Sequence, residues 1–460
     1  MSLNKNLLSY LVFTFLSIFV FYTIDYKVDY EKYPPVPTEY VQKKKDRKLF
    51  KKQRDEYIQR MYLSGPDVDW EKMEAVYRSK RYDEIYTLRS NISRDDEHIE
   101  SFFNRDLEGY WEERGSNNNA GRVHTIDVDF NNEMIYCASS GGNIWKGTLD
   151  GIGWVSLNDY MQIDNINMVR AIPTSSNQNR ILVSSGNKFY WSDDECYVLN
   201  EATGLENVAE WGEIYRSVVT YSDSQQMNQQ PTVYVLTKEW NNGSEACIYK
   251  SEDLGESFEL IYHTSLQTER GYDIWTDRYQ SSDIYFLRNR SIYKIGDDNQ
   301  LTLISEVTSD GEGKNILSGG MSSSGGGEYH FYAMINSELY FSDNSGESWS
   351  YKGELPSYTF SRNSFNASYR EQDVVSIGGI EVFTSLDGGT SWDKVNNWWD
   401  YYGNPSIYLH ADIPEVQYLL NAAGHELTFV STDGGLYKSD DYLNTVENIS
   451  LNGLGVSQYY

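Results

Sequence analysis

The chain carries 460 residues and a formal net charge of -29 at pH 7, from 68 Asp and Glu against 39 Lys and Arg. Nucleic-acid binding rests on neutralising phosphates with Lys and Arg, so this balance excludes DNA and RNA as partners and describes a solvated, self-repelling surface. With 39 Tyr, 17 Phe and 12 Trp beside 35 Gly and only 9 Pro, the composition points to short strands joined by tight turns.

Residues 7–24, LLSYLVFTFLSIFVFYTI, form an apolar run behind a head that carries Lys5. The run reads as a signal peptide or an uncleaved signal anchor within residues 1–26. Either version exports the rest of the chain to the cell surface, the periplasm or the medium, and an uncleaved run also ties it to a membrane. Over residues 27–115 the basic stretch that opens KKKDRKLFKKQRDEYIQRMY at Lys43 has helical spacing and few strand signals, so a helical leader is expected. Its charge reads as a solvated helix face. Near residues 103–122 the composition turns to Gly and Asn, and the domain boundary falls there.

From residue 116 to 450 one pattern returns seven times: a short apolar strand, a turn, then a strand with an aromatic residue, as in MIYCASSGGNIWKG, FYAMINSELYFS and LTFVSTDGGLYKS. The equivalent aromatics are Trp145, Tyr190, Tyr249, Tyr293, Tyr340, Phe383 and Tyr437, at intervals of 43 to 59 residues. That period, with four short strands per unit, predicts an all-β, seven-bladed β-propeller of four-stranded antiparallel blades. RVHTIDVDF would be the innermost strand of the first blade and TVENIS the end of the seventh, so no blade borrows a strand from the far terminus. Residues 451–460, LNGLGVSQYY, read like the start of a further blade or a truncated tail. The cysteines Cys137, Cys196 and Cys247 are odd in number and far apart, which describes neither a disulfide framework nor a CxxC metal pair; they read as small buried hydrophobes.

Several third strands run into a second shared phrase. SEDLGESF (Ser251, Asp253, Gly255), SDNSGESW (Ser342, Asn344, Gly346, Trp349) and SLDGGTSW (Ser385, Asp387, Gly389, Trp392) have the form Ser-x-Asp/Asn-x-Gly-x-x-aromatic, with weaker echoes at Ser192 to Leu199 and Ser439 to Val446. Ser and Asp side chains bond nearby backbone N–H groups in a tight turn, and Gly supplies a positive φ. A phrase repeated this often is a folding signal rather than a catalytic loop, because an enzyme needs one site.

The phrase resembles the Asp-box of the bacterial neuraminidase repeat, found in sialidases, sortilin-type receptor domains and xyloglucan-active glycoside hydrolases. The resemblance implies a propeller in which each box joins the outer two strands of a blade on the face away from the ligand. Residues 110–147, 398–412, 431–439 and 451–460 together resemble large secreted sortilin-like propeller proteins of the Bacteroidetes, which continue into a further propeller half. This sequence stops at Tyr460, without that half and without a type IX sorting domain, so by this comparison it looks truncated or reduced.

Set against the enzymes of that group, the chain departs from the catalytic patterns. The string nearest to the sialidase Arg-Ile-Pro phrase is RAIP, Arg170 to Pro173, with an extra Ala; the position of the xyloglucanase base, before the first Gly-Gly, holds Ser139. A serine cannot replace that carboxylate in the acid–base pair a glycosidase needs. In HAD, His410 and Asp412 read either as a hydrogen-bonded pair on an inner strand or as flanks of a channel mouth, and Pro414 stands where related sequences add a further His. No metalloprotease, nucleophile-elbow or phosphate-loop motif occurs, and the Gly-rich stretch Ser318 to Tyr329 reads as a loop between strands. Neither a metal nor a cofactor is expected. The loop entering the seventh blade groups Trp398, Trp399, Tyr401 and Tyr402, and Trp211 stands at the entry to the third; aromatics of this kind stack on sugars or anchor a protein. The sequence thus reads as an exported, non-catalytic binding or scaffold propeller for a protein or polysaccharide ligand. The alternative is a carbohydrate-active hydrolase whose carboxylates lie elsewhere.

Overall fold

A computed structural model describes residues 44–61, scattered positions from 73 to 87, and residues 120–456 apart from 160, 162, 176–177, 221–230, 241–243, 266–269, 310–312 and 324–326. The apolar run 7–24 lies outside the described residues, among which no helix is long and apolar enough to cross a membrane. The chain divides into two compact units, 1–78 and 79–460. The first contains helix α1 (Lys44–Met61), the helix expected from the basic stretch, with Lys52 and Glu56 paired one turn apart at 3.7 Å.

The second unit is a seven-bladed β-propeller. Its strands β1–β28 fall into seven antiparallel sheets of four, each taken in unbroken chain order. Blade one is β1 (Val123–Asp129), β2 (Met134–Ser139), β3 (Ile144–Thr148) and β4 (Val155–Ser156). The innermost strands of blades two to seven are β5 (Ile166–Ser175), β9 (Gly212–Val219), β13 (Tyr272–Thr276), β17 (Asn315–Met321), β21 (Phe365–Ala367) and β25 (Glu415–Leu420). All seven aromatics that marked the repeat sit in third strands. Among the described residues no strand is exchanged between the termini. Instead the ring closes where Gly121 N–H donates to the Val456 carbonyl at 2.8 Å, and Leu454 and Val456 pack with Ala120 and Val123 in one cluster. Of residues 451–460, read from sequence as the start of a further blade or a truncated tail, residues 451–456 are described; they form no strand and lie against blades one and seven.

Burial changes outward along each blade. In blade five the second strand β18 (Tyr329–Ile335), YHFYAMI, is buried at every position, whereas the fourth, β20 (Ser350–Glu354), SYKGE, is mostly exposed. A strand covered on both faces must be apolar throughout. The outermost strands of blades one, two, six and seven are only two residues long, which limits the exposed sheet edge. The core is correspondingly a set of seven apolar wedges, one between each pair of adjacent blades, and the cysteines lie buried in three different strands or turns of these wedges without disulfides.

Neighbouring innermost strands belong to separate sheets, and polar side chains connect them. Asp127 accepts from Ala171 N–H at 2.8 Å, Asp273 from Leu317 N–H at 2.9 Å and Glu415 from Ile126 N–H at 2.8 Å. Asn167 donates to the Ile214 carbonyl, Ala367 N–H to Ser318 Oγ, and Asn366 to the Val416 carbonyl, while Arg216 pairs with Asp273. Each of the seven blade junctions carries at least one such link. The Gly-rich stretch departs from its reading as a loop: Ser318 to Met321 belong to β17. Glycine is required there by close approach, since a Cβ on Gly320 would stand 2.2 Å from the Tyr369 carbonyl oxygen of the next blade.

Candidate functional site

The innermost strands all run from one face of the ring, where loops enter them, to the other, where they leave. Because the strands alternate, the turns between third and fourth strands lie on the exit face. There the Ser-x-Asp phrase folds as the turn chemistry requires. Ser385 Oγ accepts from Gly389 N–H at 2.8 Å, and Asp387 Oδ1 accepts from Ser391 N–H at 2.8 Å and Thr390 N–H at 3.1 Å. These bonds, with the Ser391 hydroxyl foremost, hold the Asp387 carboxyl down at about 2. Gly389 has φ +86° and would place a Cβ 2.3 Å from Leu339 of the preceding blade. The two echoes make the same bonds around Ser192 and Asp194 and around Ser439 and Asp441, with Cys196 (φ 63°) and Leu443 (φ 70°) taking the left-handed position instead of glycine. Asp387→Ala should cost about 1–2 kcal/mol in urea titrations, as loss of several turn bonds does, with no effect on ligands of the opposite face.

The entry face carries the aromatic loop. Trp398–Tyr402 form a 3-10 turn capped by Asn397 and Asp400, whose side chains each take up a bond from the other's backbone. Trp398, Trp399 and Tyr402 are 39%, 54% and 69% exposed, whereas Tyr401 is 6% exposed and packs edge-on against His410 at 4.6 Å. Tyr401 therefore contributes to packing rather than to the exposed aromatic surface. His410 also lies hard against Gly434, where a Cβ would come within 2.5 Å of it, and Asp412 takes φ 62° with its N–H bonded to the Ile380 carbonyl. Trp211 is the last residue of helix α2 (Glu206–Trp211); its side chain lies outside the described residues.

On the propeller axis all seven innermost strands enclose a cavity of about 370 Å³. Ten arginines lie between residues 120 and 456, and five of them, Arg122, Arg170, Arg216, Arg278 and Arg362, line this one space; among the described residues no lysine does. Arg170 Nε lies 3.5 Å from Asp127 Oδ2, and Arg278 donates to the other oxygen of the same carboxylate. Arg216 Nη1 lies 3.3 Å from Asp273 Oδ2, while Arg362 donates to the Tyr272 carbonyl and stacks over the Tyr215 ring at 4.3 Å. Arg122 forms a two-pronged pair with Asp433, whose own N–H donates to the Ala411 carbonyl. That pair joins the cavity rim to the end of the aromatic loop. At the exit end Tyr279 accepts from Leu420 N–H and stacks edge-on against Tyr369 at 4.7 Å.

Burial sets the protonation of these groups. It raises the Asp127 carboxyl, but Arg278 and Arg170 outweigh it and hold Asp127 below its ordinary value. For Asp273 burial prevails over Arg216 and Arg362, and the carboxyl is raised. Arg170 is pushed down to about 10 by burial and by Arg278, against the pull of Asp127. Glu415, the only acidic side chain on the cavity wall among the described residues, is pushed up to about 7, chiefly by burial. His124 is lowered by burial; its ring nitrogens lie 3.2 Å from the Ile166 carbonyl and 3.0 Å from Ser140 Oγ. Among the described residues no group of three or more His, Cys, Asp or Glu could hold a metal ion.

The rim residues stand out in the sequence, and the cavity does not. Of its arginines only Arg170 draws notice there, as part of RAIP, whose poor match to the sialidase phrase gives no reason to place it on the axis. The available signal is scarcity: in a strongly acidic chain, half the arginines of the propeller share one wall.

These features define the class, a seven-bladed β-propeller with a basic cavity on its axis and an aromatic loop at one rim. No family model matches the chain, and no curated protein matches it. Similar solved structures include the extracellular domain of the putative one component system BT4673 from B. thetaiotaomicron, with TM-score 0.45 and 11% identity over 70% of this chain. The chain spans 38% of the length of that domain. YCF48 from Cyanidioschyzon merolae has TM-score 0.43 and 13% identity over 70% of this chain and 96% of its own. Sqt1 from Saccharomyces cerevisiae has TM-score 0.42 and 10% identity over 70% of this chain and 83% of its own.

Proposed function

We propose that the chain is an exported, non-catalytic binding propeller that recognises a protein or polysaccharide partner through its entry face. The observation that carries this reading is the exposure of Trp398, Trp399 and Tyr402 on a capped turn. Three large rings held in fixed positions offer contact area at little conformational cost, which is the usual make-up of an anchoring patch. Export rests on the apolar run at residues 7–24, which also serves as an anchor if it is retained. The non-catalytic part rests on the carboxylates of the axis: Asp127, Asp273 and Glu415 each hold a backbone N–H of the next blade, a structural duty.

Titration of the full chain with a panel of soluble polysaccharides and purified secreted proteins tests the reading. Trp399→Ala should weaken binding of the ligand so found by tenfold or more and leave the melting temperature within about 2 °C, because an exposed ring contributes little to folding. A large loss of stability would place the ring in the core instead. Release of reducing sugar, abolished by a single Asp or Glu substitution, would replace a binding protein by a hydrolase.

A further inference from the structure

Building on the binding role proposed for the entry face, we infer that the aromatic loop is one edge of a wider apolar surface, and that this surface takes a cationic protein segment with large apolar side chains. Of the fifteen large apolar side chains that the propeller exposes among its described residues, eight fall in three segments on the entry side. Beyond the three rings of the loop they are Tyr358 and Phe360 ahead of β21, Ile380 in the turn between β22 (Val375–Gly378) and β23 (Val382–Ser385), and Ile407 and Tyr408 ahead of β25. Hydrogen bonds hold the segments side by side. Phe360 N–H donates to the Gly378 carbonyl at 3.1 Å, Asp412 N–H to the Ile380 carbonyl at 3.0 Å and Trp398 N–H to the Glu381 carboxylate at 3.2 Å. Contiguous exposed apolar side chains of this number mark an interaction site.

The shape of the surface separates a protein from a sugar chain. Trp399 and Tyr402 meet the Trp398 ring edge-on, at 79° and 82°. The three rings share no plane along which successive sugar units could stack, and the two isoleucines offer nothing to hydroxyl groups. Apolar side chains of a protein cover both kinds of surface, because each loses hydrated area on contact. Charge then sets the sign of the partner. Residues 116–460 hold 47 of the 68 Asp and Glu but only 19 of the 39 Lys and Arg, and residues 395–414 include Asp400 and Asp412 with no Lys or Arg. The cations beside the patch are engaged: Lys394 pairs with Glu381 at 2.6 Å, and Lys314 donates to the Thr359 carbonyl and hydroxyl. A second copy of the chain brings the same negative charge and is repelled at long range, whereas a cationic segment is drawn in. Its ammonium or guanidinium groups also gain from the exposed indole faces.

Calorimetric titration of the full chain, kept in non-ionic detergent, with four probes reads the proposal. Three are acetylated, amidated heptapeptides that alternate lysine with leucine, glutamate with leucine, and lysine with serine; the fourth is cellohexaose. The lysine–leucine peptide should bind at least tenfold more tightly than each of the others, and less tightly as salt screens the attraction. Ile380→Ser, which lies outside the aromatic loop, and Trp399→Ala, each checked for folding by circular dichroism, should both weaken it at least fivefold. Absence of binding by the lysine–leucine peptide overturns the proposal, as does equal or tighter binding of another peptide. Binding that neither substitution changes is charge attraction elsewhere on the chain and overturns it as well. Loss of binding in one variant alone overturns the wider surface; where that variant is Trp399→Ala, the aromatic loop still stands as the binding site. Cellohexaose as the tightest ligand, lost in Trp399→Ala, likewise keeps the loop and overturns the protein partner. Dimers in sedimentation velocity that Ile380→Ser disperses make the occupant a second copy and overturn the cationic one.

Discussion

Asp127→Ala should destabilise the propeller by about 3–5 kcal/mol, the cost of leaving buried charges without their counter-ion. Asp127 is fully buried on β1 and serves two guanidinium groups and one backbone N–H at once. Its removal leaves Arg170 and Arg278, which already repel each other, facing across the axis, and strips Ala171 N–H of its acceptor at the junction of blades one and two. Urea titrations at pH 7 read the loss. Asp127→Asn should recover part of it, because an amide oxygen still accepts from Ala171 while the charge is gone. A second change separates charge from packing: Asp127→Ala combined with Arg278→Met should be more stable than Asp127→Ala alone, since one of the stranded cations has been removed. If Asp127→Ala costs less than about 1 kcal/mol, the carboxylate is not the counter-ion of the axis, and the account of the arginine cluster fails with it.

The same residue illustrates what the sequence revealed and what it did not. The blades were legible because their signals repeat: an aromatic in each third strand, from Trp145 to Tyr437, and a Ser-x-Asp hairpin whose geometry recurs five times on the exit face. Repetition makes a pattern visible even where single copies decay, as Cys196 and Leu443 have done in the glycine position. The axis is built on the opposite principle. Its five arginines come from five blades and from unlike positions: Arg122 and Arg362 precede their strands, Arg170 and Arg216 lie within them, and Arg278 follows one. An alignment of repeats averages such residues away. Only closure of the ring brings them together, so their common wall is a property of the tertiary structure. The aromatic loop falls between these cases. WWDYY stood out in the sequence as a cluster, but that Tyr401 turns inward against His410 while its neighbours face solvent follows from the capped 3-10 turn, which spacing alone does not specify.

Glu415→Gln should make the propeller more stable at pH 8 and leave it nearly unchanged at pH 4.5. The Glu415 carboxyl titrates at about 7 in the fold against an ordinary 4.5, chiefly because burial disfavours its charge, with Asp127 adding to the rise and the bonds from Gln417, Ile126 and Thr125 opposing it. A carboxyl whose folded value lies above its unfolded value holds its proton longer when folded. Its contribution is therefore complete below about pH 4.5 and is lost as the pH rises through about 7. The shift corresponds to about 3 kcal/mol between the two ends of that window, at roughly 1.4 kcal/mol per unit. Glutamine imitates the protonated acid: its oxygen accepts from Ile126 N–H and its amide donates to Thr125 Oγ1, which keeps the link between blades seven and one. The wild type should thus lose stability relative to the variant as pH rises from 5 to 8, with the steepest part between 5 and 7. His124 and the other titrating groups of the axis are common to both chains and largely cancel in the difference. Parallel stability curves across that range would show that Glu415 ionises as easily in the fold as in water, and that the seam between the last blade and the first is held by a charged carboxylate after all.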